Sequence, residues 1–428
     1  MTDPLRLGIA GLGTVGVGVV KIVQSHADLL AARGGRPVTI SAVSARSREK
    51  DRGVDISDYD WEDDPVVLAR RDDVDVLVEL MGGEDGPAKA ATEAAIAAGK
   101  DVVTANKAML AHHGQAMAEA AEAAGRVIRF EAAVAGGIPV VKALTEGLAG
   151  NRITRVMGVM NGTCNYILTR MQSADLSYDE VFDEASQLGF LEADPNLDVG
   201  GIDAGHKLAL LSSIAYGTKV DFGGVALEGI GQVTIEDINQ AAELGFRIKL
   251  LGVARLSGRG LEQRMTPCLV PANSPFGQLE GGTNMVVLEG DSVNQIVLSG
   301  PGAGEGPTAS AVLSDILDIA RGIRVSTFGQ PATGLVAATR ASVATAAPYY
   351  LRLALRDKPG ALAKVAATLS DCGISIDRMR QRSHGGEDAP VLIVTHKVAA
   401  PSLQDALEAL PKTDVVTGHP VALRIEDV

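Results

Sequence analysis

The sequence has little cysteine, and its cysteines form no pattern that would make a metal site or a disulfide framework. Cys164, Cys268 and Cys372 are the only ones in 428 residues, and they lie far apart along the chain. Their number is odd and their spacing matches no ligand motif. We therefore expect free thiols and a reducing, cytoplasmic location.

Long apolar runs and an excess of basic residues are also missing. No apolar run approaches the ~20 residues of a membrane helix, and the first residues have no basic segment before an apolar one, as a signal peptide would. Acidic residues outnumber basic ones by 53 to 39, for a net charge of −14. We expect neither a nucleic-acid nor a membrane partner, although a local positive site would suffice for an anionic cofactor.

A glycine-rich turn follows the first apolar run, and a helical pattern comes after it. In residues 5–16, LRLGIAGLGTVG, Gly11 permits a tight turn, Gly13 lets backbone approach a pyrophosphate, and Gly16 lets the helix pack on the strand. The helix N-terminus then faces the phosphates. This context predicts a dinucleotide site at Gly11, Leu12, Gly13, Thr14, Val15 and Gly16. The alternative is a glycine-rich turn that binds nothing.

The second predicted strand, residues 38–46, lacks the acidic residue that many NAD sites place on the ribose hydroxyls. It ends in Arg46 with serines on either side of the alanine–arginine pair. Arginine and hydroxyl groups suit a 2′-phosphate, so we expect NADP, with NAD as the alternative. Arg46 as a plain surface charge is the competing interpretation.

Strands and helices continue to alternate through residue 135, which predicts a Rossmann-type, doubly wound parallel sheet over residues 1–135. Lys107 follows the strand that ends at Thr104. Such sheets bind ligands at the carboxyl ends of their strands, so Lys107 is expected either at the ligand site or as a surface lysine that starts a helix.

An unusual density of acids precedes one lysine between residues 185 and 207. Asp203 and Lys207 are four apart in a helical pattern and share a helix face, while Glu192 and Asp198 precede them in a loop. If the loop folds back, one ammonium lies among several carboxylates. Such a site suits a zwitterionic substrate, and the lysine would exchange a proton with a substrate oxygen. The alternative is a solvated surface ion pair.

The rest of the chain predicts two further domains. Residues 136–330 read as an α+β domain with a second sheet that carries helices on one face, in which the 300–325 segment is expected either to return to the nucleotide site or to form a turn. Residues 331–348 have weak patterning and predict a linker. Residues 349–428 read as βαββαβ, a ferredoxin-like unit.

Five motifs resemble homoserine dehydrogenase over residues 1 to about 325. They are GLGTVG at the start, TANK at 104–107, GGIPV at 136–140, NGTCNYIL at 161–168 and LGFLEADPNLDVGGIDAGHKL at 188–208. Leu191 departs from the pattern, because a smaller residue is more usual there. Residues 349–424 resemble an ACT domain, for which a DKPG turn before a helix is typical.

The resemblance implies NAD(P)-dependent interconversion of L-aspartate 4-semialdehyde and L-homoserine, on the way to threonine and methionine. It implies that Lys207 donates the proton, with Lys107 as a second candidate that also touches the cofactor. Glu192 and Asp203 would hold the substrate ammonium, and Asp198 would orient Lys207. Thr104, Gly189 and Gly306 match cofactor-contacting positions.

The resemblance also implies a cation site, an effector site and an oligomer. Glu131, Val134, Gly136 and Ile138 match a Na⁺ site built largely from backbone carbonyls. Asp357, Gly360, Ala361 and Leu362 match an amino-acid site, for which threonine is the leading ligand. A homodimer or homotetramer is expected, with residues 136–330 as the catalytic and dimerisation domain. Three alternatives stay open: a dehydrogenase for another amino-acid semialdehyde, a sensor without turnover, and an ACT unit that only assembles subunits.

Overall fold

The computed structural model describes residues 3–191, 194–381 and 388–428. Its first part is a sheet whose neighbouring strands are all parallel, in the order β3-β2-β1-β4-β5-β6. The strands are β1 (Leu5–Ala10), β2 (Val38–Ser44), β3 (Asp60–Trp61), β4 (Val76–Glu79), β5 (Asp101–Thr104) and β6 (Ile128–Arg129). The helices are α1 (Thr14–Ser25), α2 (Ala27–Gly34), α3 (Pro65–Arg70), α4 (Pro87–Ala97) and α5 (Lys107–Ala123). The predicted Rossmann-type sheet is confirmed.

The second part has an antiparallel sheet in the order β12-β11-β7-β9-β10, with β8 beside β10. Its strands are β7 (Ile153–Val159), β8 (Val225–Leu227), β9 (Phe246–Ser257), β10 (Gly260–Pro271), β11 (Thr283–Gly290) and β12 (Asn294–Pro301). Its helices are α6 (Val140–Lys142), α7 (Gly162–Ala174), α8 (Tyr178–Gln187), α9 (Pro195–Val199), α10 (Ile202–Tyr216), α11 (Ile235–Glu243) and α12 (Glu305–Ala320).

The first sheet is covered on both faces, which explains its nearly continuous apolar strands. Leu7 and Ile9 pack with residues of α1 and α12 on one face. Leu77 and Val102 pack with residues of α4 and α5 on the other. Helix α12 therefore lies against α1 although it follows the second sheet in sequence. A Cβ on Gly18 would lie 2.8 Å from the Glu305 carbonyl oxygen, so only a glycine in α1 permits this approach.

The third part has the predicted βαββαβ order. It comprises β13 (Tyr349–Arg356), α13 (Ala361–Asp371), β14 (Ile376–Gln381), β15 (Asp388–Thr395), α14 (Ala400–Ala409) and β16 (Val416–Ile425). The strands lie in the order β16-β13-β15-β14 with antiparallel neighbours, as a ferredoxin-like unit requires.

This third sheet is continuous with the second one, which the sequence analysis does not predict. The end of β16 pairs in parallel with β10, at Arg424 opposite Cys268 and Ile425 opposite Leu269. The segment 331–348, expected to be a linker, also makes β-bridges from Val336 to Thr218 and from Arg340 to Leu261. The C-terminal unit is therefore attached to the second domain through backbone hydrogen bonds.

In the part of the chain that the structure describes, no single helix is long and apolar enough to span a membrane. The bent pair formed by α1 and α2 would be long and apolar enough, judged by length and composition alone.

Candidate active site

A crevice opens at the carboxyl ends of β1, β2 and β4, where the glycine-rich turn lies. Gly11 has a φ of +107°, and a Cβ there would lie 2.6 Å from the Leu80 carbonyl oxygen. A Cβ on Gly16 would overlap the Gly11 carbonyl oxygen, whereas Gly13 faces open space. Two glycines are thus required by packing. The third leaves room for a ligand beside the N-terminus of α1, which suits a pyrophosphate.

The crevice continues into a cavity of about 540 Å³ with a positively charged rim. Arg46 is exposed at the end of β2, and Lys50 and Arg52 line the same cavity. Arg52 donates to the Lys50 carbonyl at 2.7 Å and to the Ser47 carbonyl, and its guanidinium lies 5.6 Å from the centre of the Trp61 indole. The rim therefore offers cations where the second strand ends, and the residues present fit an anionic dinucleotide.

Glu79 and Thr104 form a buried hydrogen bond at the ends of β4 and β5. The Thr104 hydroxyl donates to Glu79 at 2.6 Å, and the Met81 amide donates to the same carboxyl group at 2.7 Å. Burial raises the pKa of Glu79 above its ordinary value. The side chain of Asn106 accepts from the Met109 amide and so caps α5, which begins at Lys107. The sequence analysis missed Glu79, although an acid at the end of an apolar strand was a usable signal.

Asp203 lies between two lysine ammonium groups. Lys207 Nζ donates to Asp203 Oδ2 at 2.6 Å and to the Met160 carbonyl at 2.8 Å. Lys107 Nζ lies 2.9 Å from Asp203 Oδ1. Asp203 and Lys207 are 7% and 8% exposed, so this ion pair is not the solvated surface pair that the sequence left open.

The charge of Asp203 is maintained despite its burial. Burial alone would raise its pKa, but Lys207 and Lys107 outweigh that effect and hold the pKa well below its usual range. Asp203 also lies in the first turn of α10, where the helix dipole favours an anion. One ionised carboxylate therefore pairs with both lysine ammonium groups.

Asn161 joins Asp203 to Asp198, and sequence reasoning missed it. Its Nδ2 donates to Asp198 Oδ1 at 2.9 Å and to Asp203 Oδ2 at 3.4 Å. Its Oδ1 accepts from the Cys164 amide at 2.8 Å and caps α7. The signal available was the asparagine that opens NGTCNYIL, because asparagine before a helical pattern is typical of an N-cap.

His206 lies next to the lysine pair but adds no charge at neutral pH. It is 7% exposed, and its ring centre lies 4.2 Å from that of Phe222 and 5.6 Å from that of His112. Burial, and then His112, lower the pKa of His206 to about 4. The positive charge of the cluster therefore comes from Lys107 and Lys207.

Three further residues are predicted at the substrate or the cofactor: Glu192, Gly189 and Gly306. Glu192 lies outside the described residues. Gly189 has a φ of +74°, and Gly306 lies in the first turn of α12 with open space where a Cβ would be. The Phe190 carbonyl, next to Gly189, accepts from the Thr163 hydroxyl at 3.0 Å, which ties that segment to the start of α7.

The segment expected to bind a cation lies between the first and second sheets. The carboxylate of Glu131 accepts from the Val141 and Lys142 amides, both at 2.8 Å. Burial, and then Asp315, raise the pKa of Glu131 to about 7. Gly136 has a φ of +57°, and a Cβ there would overlap the Gly302 carbonyl oxygen. Over the described ranges, no group of three or more His, Cys, Asp or Glu is placed to hold a metal.

The residues expected to bind an amino acid run from the turn after β13 into the first turn of α13. Gly360 is the N-cap of α13 with a φ of +83°, and Ala361 after it is buried. Asp414 accepts from Lys358 at 2.8 Å and from Lys364 at 2.6 Å, which ties this turn to the chain before β16.

Comparison with known proteins identifies the family. Residues 139–317 match the homoserine dehydrogenase family model, and residues 11–131 match its NAD-binding domain. Residues 349–412 match the ACT domain. A homoserine dehydrogenase of Neisseria gonorrhoeae is 40% identical over 433 residues, which cover 99% of each chain. This chain belongs to the homoserine dehydrogenase family.

Solved homoserine dehydrogenases have the same fold. The crystal structure of one from Thiobacillus denitrificans superposes with a TM-score of 0.94 at 38% identity, over 99% of each chain. A hyperthermophilic archaeal homoserine dehydrogenase, solved in complex with NADPH, has a TM-score of 0.62 at 25% identity. It covers 74% of this chain and 97% of its own.

As a homoserine dehydrogenase, the protein is an NAD(P)-dependent oxidoreductase of amino-acid biosynthesis with a C-terminal ACT domain. It interconverts L-aspartate 4-semialdehyde and L-homoserine. The alternatives of a dehydrogenase for another semialdehyde and of a sensor without turnover are thereby rejected.

Proposed function

We propose that Lys207 donates the proton to the substrate oxygen and that Lys107 assists it at the same carboxylate. The observation that carries this proposal is the Asp203 carboxylate between the two ammonium groups, at 2.6 Å and 2.9 Å. When bound in the crevice, the reduced nicotinamide supplies the hydride for the aldehyde carbon. The aldehyde oxygen gains negative charge as the hydride arrives, and a lysine ammonium beside it supplies the proton.

The hydrogen bonds of Lys207 orient its ammonium for this role. A lysine ammonium has three N–H donors, and Asp203 and Met160 accept two of them. We assign the third to the substrate oxygen. Asp198, Asp203 and Glu192 supply the negative charge that the substrate ammonium requires.

NADP is the cofactor that the rim of the crevice favours. Arg46 lies where the 2′-position of an adenosine ribose is held in such folds, and Lys50 and Arg52 add positive charge beside it. Thr104, Gly189, Gly306 and Lys107 complete the proposed cofactor contacts. The NADPH complex of the archaeal relative agrees with this preference.

A monovalent cation, Na⁺ by preference, is proposed at the backbone carbonyls of Glu131, Val134, Gly136 and Ile138. The left-handed conformations of Ala135 and Gly136, each with a φ of +57°, turn this segment sharply between the two sheets. Carbonyl oxygens are the ligands that a hard monovalent cation takes.

The ACT domain is proposed to bind threonine at the turn of Asp357, Gly360, Ala361 and Leu362. The amides at the start of α13 are donors for a carboxylate, and ACT domains suggest regulation by an amino acid. We propose further that the enzyme works as a cytoplasmic homodimer or homotetramer. The domains are taken as residues 1–135, 136–330 and 349–428, joined by 331–348.

The test is NADPH oxidation, followed at 340 nm, with L-aspartate 4-semialdehyde as substrate. We expect turnover with NADPH at a lower KM than with NADH, faster turnover in Na⁺ than in tetramethylammonium, and inhibition by threonine. Equal KM values for the two cofactors would reject the role of Arg46. If threonine does not change the rate and calorimetry detects no heat of threonine binding, the ACT domain only assembles subunits.

A further inference from the structure

Lys249 is a buried lysine outside the cluster around Asp203. It lies in β9, is 4% exposed, and donates from Nζ to Asn165 Oδ1 at 2.9 Å and to the Leu279 carbonyl. Asn165 is 1% exposed and donates from Nδ2 to the Gly281 carbonyl at 2.7 Å. One lysine and one asparagine thus connect β9, the first turns of α7 and the turn at residues 279–282.

The same turn presses against the first residue of α7. A Cβ on Gly162 would lie 2.6 Å from the Gly282 carbonyl oxygen, so helix and turn are in direct contact there. Asn161, the residue before Gly162, caps the helix and donates to Asp198 and Asp203. The position of the helix start therefore decides where the Asn161 amide lies relative to the two carboxylates.

Burying an ammonium at this depth is unfavourable unless its hydrogen bonds offset the cost of removing it from water. Burial lowers the pKa of Lys249 to about 8, against the opposing effect of Glu280, and Arg247 lowers it further. Cys268 lies opposite Lys249 in the β9–β10 register and is a buried thiol. A methionine of similar length would avoid the cost of burying a charge, but it would leave Asn165 Oδ1 without this donor and the Leu279 carbonyl with only the 3.5 Å hydrogen bond from Asn165 Nδ2.

We propose that Lys249, acting through Asn165, is a positioning residue for substrate binding: it fixes the start of α7 and thereby the Asn161 amide that holds Asp198 and Asp203. The inference rests on the substrate-binding role proposed above for those two carboxylates. It predicts a selective effect, since the cofactor crevice is built from the glycine-rich turn and shares none of these contacts.

The experiment compares Lys249→Met with Lys100→Met in steady-state kinetics at saturating NADPH. Lys100 is the matched control: it is a buried lysine whose Nζ donates to a carbonyl, that of Arg71, and burial lowers its pKa as well, but it lies in the Rossmann-type domain. We expect Lys249→Met to raise the KM for L-aspartate 4-semialdehyde about tenfold, because small displacements of positioning groups are costly. Its KM for NADPH should stay within about twofold. Lys100→Met should lower Tm without changing the substrate KM.

A second variant keeps the proposal testable if Lys249→Met does not fold. Asn165→Ala removes the same link from the other side and should raise the substrate KM by a similar factor. The substrate KM of the double variant should be no higher than the higher of the two single-variant values, because both substitutions remove the same connection. An unchanged substrate KM in Lys249→Met and Asn165→Ala, with only Tm lowered, would overturn the proposal.

Asp203→Asn, measured in the same assay, separates this proposal from the one on which it rests. If Asp203→Asn raises the substrate KM while Lys249→Met and Asn165→Ala do not, only the positioning role fails. If Asp203→Asn has no effect either, the assignment of the substrate site itself fails.

Discussion

The cofactor crevice and the Asp203 cluster are built in opposite ways. The floor of the crevice is backbone from one short stretch, the glycine-rich turn, in which Gly11 and Gly16 contribute space rather than functional groups. The cluster is formed by side chains from separate stretches, Lys107, Asn161 and the Asp203–Lys207 pair, which must converge with their charges balanced. A change to one side chain should therefore harm the cluster far more than the crevice.

The largest expected effect is that of Asp203→Asn, which leaves the buried Lys207 ammonium and the half-buried Lys107 ammonium without their shared carboxylate. Breaking such a pair costs about 3–5 kcal/mol of stability. Because the proton donor also loses the carboxylate that holds it, kcat/KM for L-aspartate 4-semialdehyde should fall about 10²–10⁴-fold. The NADPH dissociation constant, measured by fluorescence, should stay within about twofold.

Asp194→Asn is the matched control for this variant. Asp194 belongs to the same acidic stretch but is exposed and caps α9 through the Asn196 amide at 3.1 Å. Asparagine caps a helix about as well as aspartate, so Asp194→Asn should leave stability and kcat/KM nearly unchanged. An NADPH affinity that falls as far as kcat/KM in Asp203→Asn would break the contrast between crevice and cluster.

A smaller effect is expected at the crevice for Arg46→Ala. Losing one charge-assisted contact to a 2′-phosphate should raise the NADPH dissociation constant about tenfold and leave that of NADH unchanged. Arg48→Ala, two residues further along the same exposed segment, is the control and should change neither. Equal weakening of both cofactors would mean that Arg46 does not recognise the 2′-phosphate.

The smallest effect concerns stability and pH. The pKa of His206 is about 4 in the folded chain against an ordinary 6.5, so the unfolded chain binds more protons between these values. The stability linked to neutral His206 is present above pH 6.5 and is lost as pH falls towards 4. Between pH 7 and 4.5 the wild type should lose on the order of 2 kcal/mol more than His206→Gln in urea unfolding.

His419→Gln, at an exposed position in β16, controls for the loss of a histidine as such and should follow the wild-type pH curve. Parallel curves for wild type and His206→Gln would show that the buried imidazole has no part in the pH dependence.

Features built from neighbouring residues are predictable from the sequence, whereas contacts between segments that are far apart in the chain are not. The glycine fingerprint and the i,i+4 pair of Asp203 and Lys207 need only neighbouring residues, so pattern and spacing suffice. That Lys107 reaches the same carboxylate depends on how two domains pack, and no local pattern carries that information. The pairing of β16 with β10 is missed for the same reason, because it joins strands from two apparently complete units. The identity of the substrate is predicted only from the resemblance to a family.

The most direct test of Lys207 as the proton donor is a single-turnover measurement on Lys207→Met. NADPH bound to excess variant enzyme is mixed with L-aspartate 4-semialdehyde, and the loss of absorbance at 340 nm is followed by stopped flow. If Lys207 donates the proton at the Asp203 cluster, the rate should fall about 10²–10⁴-fold with NADPH affinity unchanged. A single-turnover rate equal to that of the wild type would contradict the account and move the proton donor to another residue.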